Sequence, residues 1–142
     1  MPNNVKKIIG RKDKVSFPAF NLSDVPVKID SGAYSSSMHC YSIDLDEING
    51  EQVLKVVFLD PTIQGYTGET LIFKSFQRKV VKSSNGLAQE RFFIKGSIQL
   101  FNESFETVFS LTERTGLRNP VLLGRRLLNK RMHAYLLKIT IY

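Results

Sequence analysis

Residues 27–33 of the chain read Val27-Lys28-Ile29-Asp30-Ser31-Gly32-Ala33. Alternating apolar residues lead directly into the acid, so this stretch predicts a β-strand that ends on a carboxylate. Gly32 permits a tight turn beneath Asp30, because a residue without Cβ adopts backbone angles that are closed to others. The Asp-Ser-Gly triplet is common in ordinary β proteins, and its meaning therefore depends on the rest of the chain.

A second apolar segment lies much further along, at Pro120-Val121-Leu122-Leu123-Gly124-Arg125. It predicts a strand that is stopped by glycine and followed at once by a helix. The helix is expected over Arg125–Arg131, where Leu127 and Leu128 sit among long basic side chains of good helix propensity. It is short, and it is the one segment with a convincing helical pattern.

Alternation of apolar and polar residues predicts β-strands along most of the chain. The predicted strands are Val25–Asp30, Val53–Leu59, Glu69–Val81, Arg91–Phe101, Phe105–Leu111 and Ala134–Tyr142. Turn residues separate them at Gly10–Asp13, Ile48–Gly50, Ser83–Gly86 and Phe101–Ser104, and a long loop is expected at Asp60–Gly68. Short strands between such turns indicate an all-β barrel or sandwich, and with no internal repeat or linker we expect a single domain over residues 1–142.

The composition is that of a globular domain with a core of its own. The chain has 142 residues, of which 42% are hydrophobic, and this excludes the low-hydrophobicity pattern of disorder. No apolar run approaches the ~20 residues that a membrane span needs, and Met1-Pro2-Asn3-Asn4 lacks the pattern of a secretory signal. A lone cysteine, Cys40, excludes an internal disulfide and is typical of a reducing compartment, so we expect a cytoplasmic protein. Because no apolar run is long enough for a membrane span, we expect no membrane partner.

The formal net charge is +7 and the sequence pI is about 9.6. The basic residues gather in three patches: Lys6, Lys7, Arg11, Lys12 and Lys14; Arg78, Lys79 and Lys82; Arg125, Arg126, Lys130 and Arg131. Such a field attracts polyanions, whether nucleic acid, phosphate groups or acidic peptides. A solvated basic surface without a specific partner is an equally good explanation.

Taken together, the Asp30-Ser31-Gly32-Ala33 loop and the Leu122-Leu123-Gly124-Arg125 segment resemble the retropepsin-like aspartic peptidases. Two further motifs narrow the resemblance, Ile8-Ile9-Gly10-Arg11 and Ser83-Ser84-Asn85-Gly86, as does the continuation from Tyr34 to Cys40. With these the chain is similar to a bacterial RimB-like branch, often labelled "ATP-dependent zinc protease". That branch includes proteins associated with the ligase that adds glutamates to a ribosomal protein.

The resemblance implies a fold and a set of site residues. The fold is a closed acid-protease barrel, all-β, with one short C-terminal helix and a flap hairpin. The expected catalytic residues are Asp30, Ser31 and Gly32, and the expected substrate-binding residues are Ala33, Ser84, Asn85, Gly86, Arg91 and Arg125. The flap is expected at Gln77–Ile94, whose length and turn residues favour a covering hairpin over a plain surface hairpin.

Chemistry of this type needs two carboxylates, one ionised to activate water and one protonated to bind the substrate carbonyl. The chain offers one such loop, so we expect a C2 homodimer in which two Asp30 side chains share a proton. Family dimers interleave their chain termini, and the alternating strand Tyr135–Ile141 is apolar enough to do so. An edge strand of a monomeric barrel is nearly as good an interpretation.

Some residues depart from the family pattern. Retroviral members carry an acid after the loop that pairs with the Arg of the Gly-Arg segment, but Tyr34 takes that position here. Arg125 is therefore expected to pair with another acid, Asp44, Asp46 or Glu47, or to bind a substrate carboxylate. His39 is a candidate proton-transfer partner or metal ligand, although a structural role is more common for such a histidine.

The residues give no support to a zinc site or to a nucleotide cofactor. There is no His-Glu-x-x-His segment, and His39, Cys40 and His133 lack ligand spacing, so no metal is expected. Gly68–Ser75 nearly matches a phosphate-binding loop, but Phe73 replaces a required glycine, and the alternation there predicts a strand. We therefore expect no cofactor.

The leading function is an aspartic-type peptidase that cleaves an extended peptide or protein, with Asp30 paired across a homodimer. Kinship and the basic patches favour an acidic or glutamate-tailed substrate. The alternative is a non-catalytic basic β-barrel that binds RNA, the ribosome or an acidic protein partner, with nucleic acid less favoured. A hydrolase with one carboxylate per monomer is a third interpretation, with Asp44 or Asp46 as the second acid.

Overall fold

A computed structural model of the chain describes residues 12–29, 34–82, 86–100, 103–113 and 120–127. These residues are almost entirely β-structure, which confirms the all-β prediction. The strands are β1 (Lys12–Phe17), β2 (Leu22–Ile29), β3 (Ser36–Ile48), β4 (Glu51–Phe58), β5 (Thr70–Phe73), β6 (Gln77–Lys82), β7 (Ala88–Leu100), β8 (Glu103–Thr112) and β9 (Val121–Leu123). A short 3-10 turn (Pro18–Phe20) joins β1 to β2, and a helix, α1 (Arg125–Leu127), follows β9.

Six of the strands pair in a ring. Going round it, β3 pairs with β8, β8 with β7, β7 with β1, β1 with β2, β2 with β9, and β9 again with β3. The short β9 lies parallel to β2 and antiparallel to β3, so it separates two strands that are neighbours in the sequence.

Two antiparallel extensions leave this ring. β3 continues past a bulge between Cys40 and Ser42 to pair with β4, and β4 pairs in turn with β5. β6 pairs with β7 from Gln77 opposite Phe93 to Lys82 opposite Ala88. This second extension is the hairpin predicted for residues 77–94, and its pairing is confirmed.

Aromatic side chains form the centre of the core, to which the ring and its β3–β4 extension both contribute. Phe20 is 2% exposed and stacks on Phe58 with ring centroids 4.6 Å apart, while Phe17 meets Phe109 edge to face at 5.7 Å. Such packed aromatic contacts add to the stability already gained from buried area. Gly96 makes room for this packing, because a Cβ there would lie 2.3 Å from the Phe20 ring.

The predicted strand over residues 69–81 is wrong as a single element. The structure divides it into β5 and β6, separated by Lys74, Ser75 and Phe76. The two halves belong to different extensions, since β5 pairs with β4 and β6 pairs with β7. The alternating pattern continues through the break because Phe76 packs against Phe92, with ring centroids 6.1 Å apart.

The turn predicted at Gly10–Asp13 is also wrong for its second half. Lys12 and Asp13 belong to β1 and pair with Lys28 and Val27 of β2. The charges of these residues suggested a turn, but the strand is fixed by its neighbour β2 rather than by local propensity. β3 was likewise missing from the predicted strands; at its start, serines hide the alternation of the buried residues.

The Asn49-Gly50 turn between β3 and β4 is confirmed, with φ values of 53° and 81°. Both residues have the left-handed backbone that tight hairpin turns require. Residues 60–69 contain no strand, as the predicted loop implies, and α1 begins at Arg125 as predicted. The rest of the predicted helix and the strand at 134–142 lie outside the described residues.

Candidate active site

The end of β2 and the start of β3, which flank residues 30–33 in the sequence, both pair with β9. On the first side, Ile29 is the last residue of β2 and pairs with Leu123 of β9. On the second side, Ser37 of β3 pairs with Leu122 of the same strand. Asp30, Ser31, Gly32 and Ala33 themselves lie outside the described residues, but the structure fixes the two strands from which their loop begins and ends.

Gly124 fastens the chain directly after this loop. Its N–H donates to Ser36 Oγ at 3.1 Å, and Ser36 is 1% exposed. A Cβ on residue 124 would lie 2.6 Å from the Ser35 carbonyl oxygen and 2.8 Å from that of Tyr34. Because both obstacles are backbone atoms, only glycine allows the chain after β9 to approach this closely. We refer to Leu122–Arg126 as the brace.

Arg125 and Arg126 continue the brace through Tyr34. The Arg126 N–H donates to the Tyr34 carbonyl oxygen at 2.9 Å, and the Arg125 guanidinium lies 5.9 Å from the centre of the Tyr34 ring. Tyr34 thus replaces an acidic partner with a cation–π contact. The expected ion pair of Arg125 with an acid is wrong for the described chain, where Asp46 instead bonds Lys55 at 2.8 Å and no such pair involves Asp44 or Glu47.

His39 lies on β3 and belongs to a buried polar cluster that the sequence did not predict as a unit. Its Nε2 is 2.9 Å from Asp60 Oδ2, and His39 is 2% exposed. The other Asp60 oxygen accepts bonds from the Thr62 hydroxyl and from the Thr62 N–H. These Thr62 bonds, and secondarily His39, hold the pKa of Asp60 below its usual value, against the opposing effect of burial.

The backbone of His39 connects three segments. Its N–H donates to the Pro120 carbonyl oxygen at 2.8 Å, and its carbonyl oxygen accepts from the Leu59 N–H at 2.9 Å. Leu59 has a φ of 69°, which is unusual for a leucine. The His39–Asp60 pair therefore stabilises the start of β9 and the turn after β4, and this is a structural role for His39.

The other predicted substrate-binding residues, Ser84, Asn85, Gly86 and Arg91, belong to the β6–β7 hairpin. Ser84 and Asn85 lie outside the described residues, while Gly86 is exposed and has a φ of 83°. Arg91 is half-buried on β7 and lines a cavity of about 150 Å³ with Ile43, Phe92 and Thr112, among others. Arg91 therefore faces a cavity large enough to receive a small part of a ligand.

Two further residue types bear on the chemistry. Cys40 is 1% exposed, and burial raises the pKa of its thiol far above the ordinary value, so it is not a nucleophile. Within the described ranges, no group of three or more His, Cys, Asp or Glu side chains could hold a metal ion. No helix of the described chain is long and apolar enough to cross a membrane.

Comparison with known proteins decides the family. The model of the RimB-like family, described as retropepsin-like aspartic endopeptidase RimB, matches residues 8–134. The chain belongs to the RimB-like family. This confirms the resemblance inferred from the motifs around Asp30 and Gly124.

Curated relatives of this RimB-like chain carry a different name. A Shewanella pealeana protein named probable alpha-L-glutamate ligase is 33% identical over 128 residues, which are 89% of this chain but 28% of that protein. A Desulfotalea psychrophila protein of the same name is 27% identical over 127 residues, again 89% of this chain and 27% of that protein. The chain thus spans little more than a quarter of the relatives that it matches.

A solved structure shares the RimB-like fold. It is a Legionella pneumophila protein of unknown function, 24% identical, which superimposes with a TM-score of 0.58 over 84% of each chain. The likeness covers most of each chain rather than one motif. It supports the fold alone.

Proposed function

We propose that the chain is an aspartic-type hydrolase that cleaves peptide bonds in an extended, acidic peptide, with Asp30 as its reacting carboxylate. The observation that carries the proposal is the brace. Leu123 pairs with Ile29 at the end of the strand that precedes residues 30–33. The Gly124 N–H donates to the Ser36 hydroxyl in the strand that follows them. A reacting group gains most from being fixed in advance, and here both ends of its loop are fixed by one short segment.

We infer that the ring of six paired strands is the closed barrel of the retropepsin-like fold. The pairing path β3-β8-β7-β1-β2-β9 returns to β3, and a buried cluster that includes Phe17, Phe109 and Leu127 fills its centre. Closure leaves the 30–33 loop at one end of a stiff scaffold. The β6–β7 hairpin then takes the part of the flap, which excludes water from a bound peptide.

The chemistry requires two carboxylates, and we infer that a second copy of the chain supplies the other. One Asp30 is ionised and removes a proton from water, whose oxygen attacks the peptide carbonyl carbon. The other Asp30 is protonated and donates to the carbonyl oxygen. When the tetrahedral intermediate collapses, the C–N bond breaks, the leaving nitrogen takes up the proton that the first Asp30 removed from water, and the former carbonyl oxygen returns its proton to the other Asp30. Two such acids share one proton because neighbouring like charges do not both ionise cheaply.

The substrate class follows from the relatives and from the charge. Proteins named probable alpha-L-glutamate ligase contain a segment similar to 89% of this chain, and the chain itself carries a net charge of +7. We infer that a glutamate-rich peptide is the substrate, because a basic surface raises the local concentration of an acidic ligand. The buried thiol of Cys40 is compatible with the reducing cytoplasm, where we expect the protein to act.

Mass spectrometry tests the proposal. Peptides that share one sequence, with and without a tail of α-linked glutamates, are incubated with the wild-type protein and with Asp30→Asn from acidic to neutral pH. We expect the tailed peptide to be cleaved by the wild type alone. Cleavage that survives in Asp30→Asn would assign the chemistry to another group, and no cleavage by either protein would remove the proposed activity.

A further inference from the structure

Two cavities meet on the outer face of β7 and β8. One, of about 220 Å³, is lined by residues that include Gln77, Phe93 and Lys95. The other, of about 130 Å³, is lined by residues that include Lys95, Thr107 and Arg126. Because Lys95 and Val108 line both, the two form one groove that runs from β6 to α1. We refer to it as the outer groove.

The cations of the outer groove lack carboxylate partners. Lys79 lies with its Nζ 5.2 Å from the centre of the Phe93 ring, Lys95 lies on the wall that the two cavities share, and Arg126 lines the smaller cavity. None of the three forms an ion pair with any residue that the structure describes. Glu106 is the acid that lines the groove, so positive charge is in excess there.

The opposite face of the same hairpin is different. There the Arg78 guanidinium donates to Glu90 at 2.7 Å and also lies 5.8 Å from the centre of the Phe92 ring. One face of the β6–β7 hairpin thus has its cation neutralised, and the other leaves Lys79 over an aromatic ring without an anion. Unneutralised charge weakens a fold by self-repulsion unless an anionic ligand binds it.

We propose that the outer groove binds single-stranded nucleic acid. Proteins that hold such strands combine cations, which contact phosphates, with an aromatic ring on which a base stacks. Lys79, Lys95 and Arg126 supply the cations, and Phe93, half-buried in the wall of the larger cavity, supplies the ring. Lys79 swings aside when a base covers Phe93, since lysine has a long flexible stem.

The backbone distinguishes this ligand from an acidic peptide. An extended peptide gains most of its affinity from main-chain hydrogen bonds to an exposed sheet edge. At Phe93, β7 has no such edge, because Gln77 of β6 pairs with one side of it and Ser110 of β8 with the other. The contacts offered at Phe93 are therefore side-chain contacts, which suit phosphates and bases.

Fluorescence anisotropy with a labelled uridine-rich RNA of about twelve nucleotides tests the proposal, a length within the usual site size of one small domain. We expect a dissociation constant on the order of 10 μM at low salt, weakening as salt is raised. The double variant Lys79→Gln, Lys95→Gln is expected to bind about tenfold more weakly and to lower the slope of log affinity against log salt by about 1.4. Phe93→Leu is expected to weaken binding about tenfold while leaving the salt slope unchanged.

The matched control is Lys28→Gln, Lys74→Gln, which removes the same charge from β2 and from the segment after β5. It is expected to bind as the wild type does, with thermal melting confirming that every variant is folded. Equal losses in the two double variants would overturn the groove as the site, and tighter binding of an oligoglutamate of equal charge would overturn the ligand. Asp30→Asn is expected to bind RNA normally, so a failed cleavage assay leaves this test intact.

Discussion

Replacement of Gly124 by alanine tests the brace most severely. The new Cβ would lie 2.6 Å from the Ser35 oxygen and 2.7 Å from the Ser35 carbon, and backbone cannot rotate away as a side chain does. Overpacking of this kind costs about 1–3 kcal/mol. If the displacement also weakens the Gly124 bond to Ser36, about 1 kcal/mol is added. We therefore expect a total near 3 kcal/mol, or a fall in Tm of about 12 °C at this chain length.

Gly50→Ala is the matched control for the same chemical change. Gly50 has a φ of 81°, but a Cβ there meets nothing within 4 Å, so the cost is backbone strain of about 1 kcal/mol. Calorimetry and peptide cleavage are measured for both variants. Gly124→Ala is expected to lower kcat about a hundredfold through misplacement of the loop, and Gly50→Ala to leave it unchanged. Equal melting temperatures, or wild-type cleavage by Gly124→Ala, would refute the brace.

Three further changes have defined outcomes. Asp60→Asn is expected to lower stability by about 1–2 kcal/mol at pH 7. The pKa of Asp60 is held below its ordinary value in the folded protein, so its stabilising effect is lost as the pH falls through the acidic range. Chemical denaturation should therefore show the stability difference between the wild type and Asp60→Asn shrinking at acidic pH. A stability difference that does not change with pH would contradict this role of Asp60. Gly96→Ala places a Cβ against the Phe20 ring and should lower the free energy of unfolding by about 3 kcal/mol, measured by denaturant titration. Phe20→Leu should restore part of this loss. An unchanged stability of Gly96→Ala would show that the core rearranges to accept the methyl group. Cys40 should react with iodoacetamide at pH 8 only as fast as the protein unfolds, and rapid labelling of native protein would contradict its burial.

The all-β fold was predictable because its signals are local. Alternation along β2, β4 and β8 marks strands with one buried face, and Asn49-Gly50 requires a tight turn whatever surrounds it. The division of β5 from β6 could not be predicted in this way. It depends on which neighbour each half pairs with, and Phe76 keeps the apolar pattern running through the break.

The same distinction holds at the site. The loop at Asp30 and the glycine at 124 are visible as motifs, because each needs particular residues at fixed positions. The His39–Asp60 pair joins residues on either side of β4, so it forms only once β3 and the turn after β4 have come together. A carboxylate partner was expected for Arg125 on chemical grounds, but its guanidinium lies over the Tyr34 ring instead.

A subunit-mixing experiment tests the central claim, that Asp30 acts as one half of a carboxylate pair. Wild-type protein and Asp30→Asn are unfolded, mixed in equal amounts and refolded at constant total concentration, and cleavage of the glutamate-tailed peptide is measured. If catalysis needs an Asp30 from each of two copies, activity should fall to about a quarter of that of undiluted wild type. Activity of about a half would mean that each copy works alone, and would contradict the account.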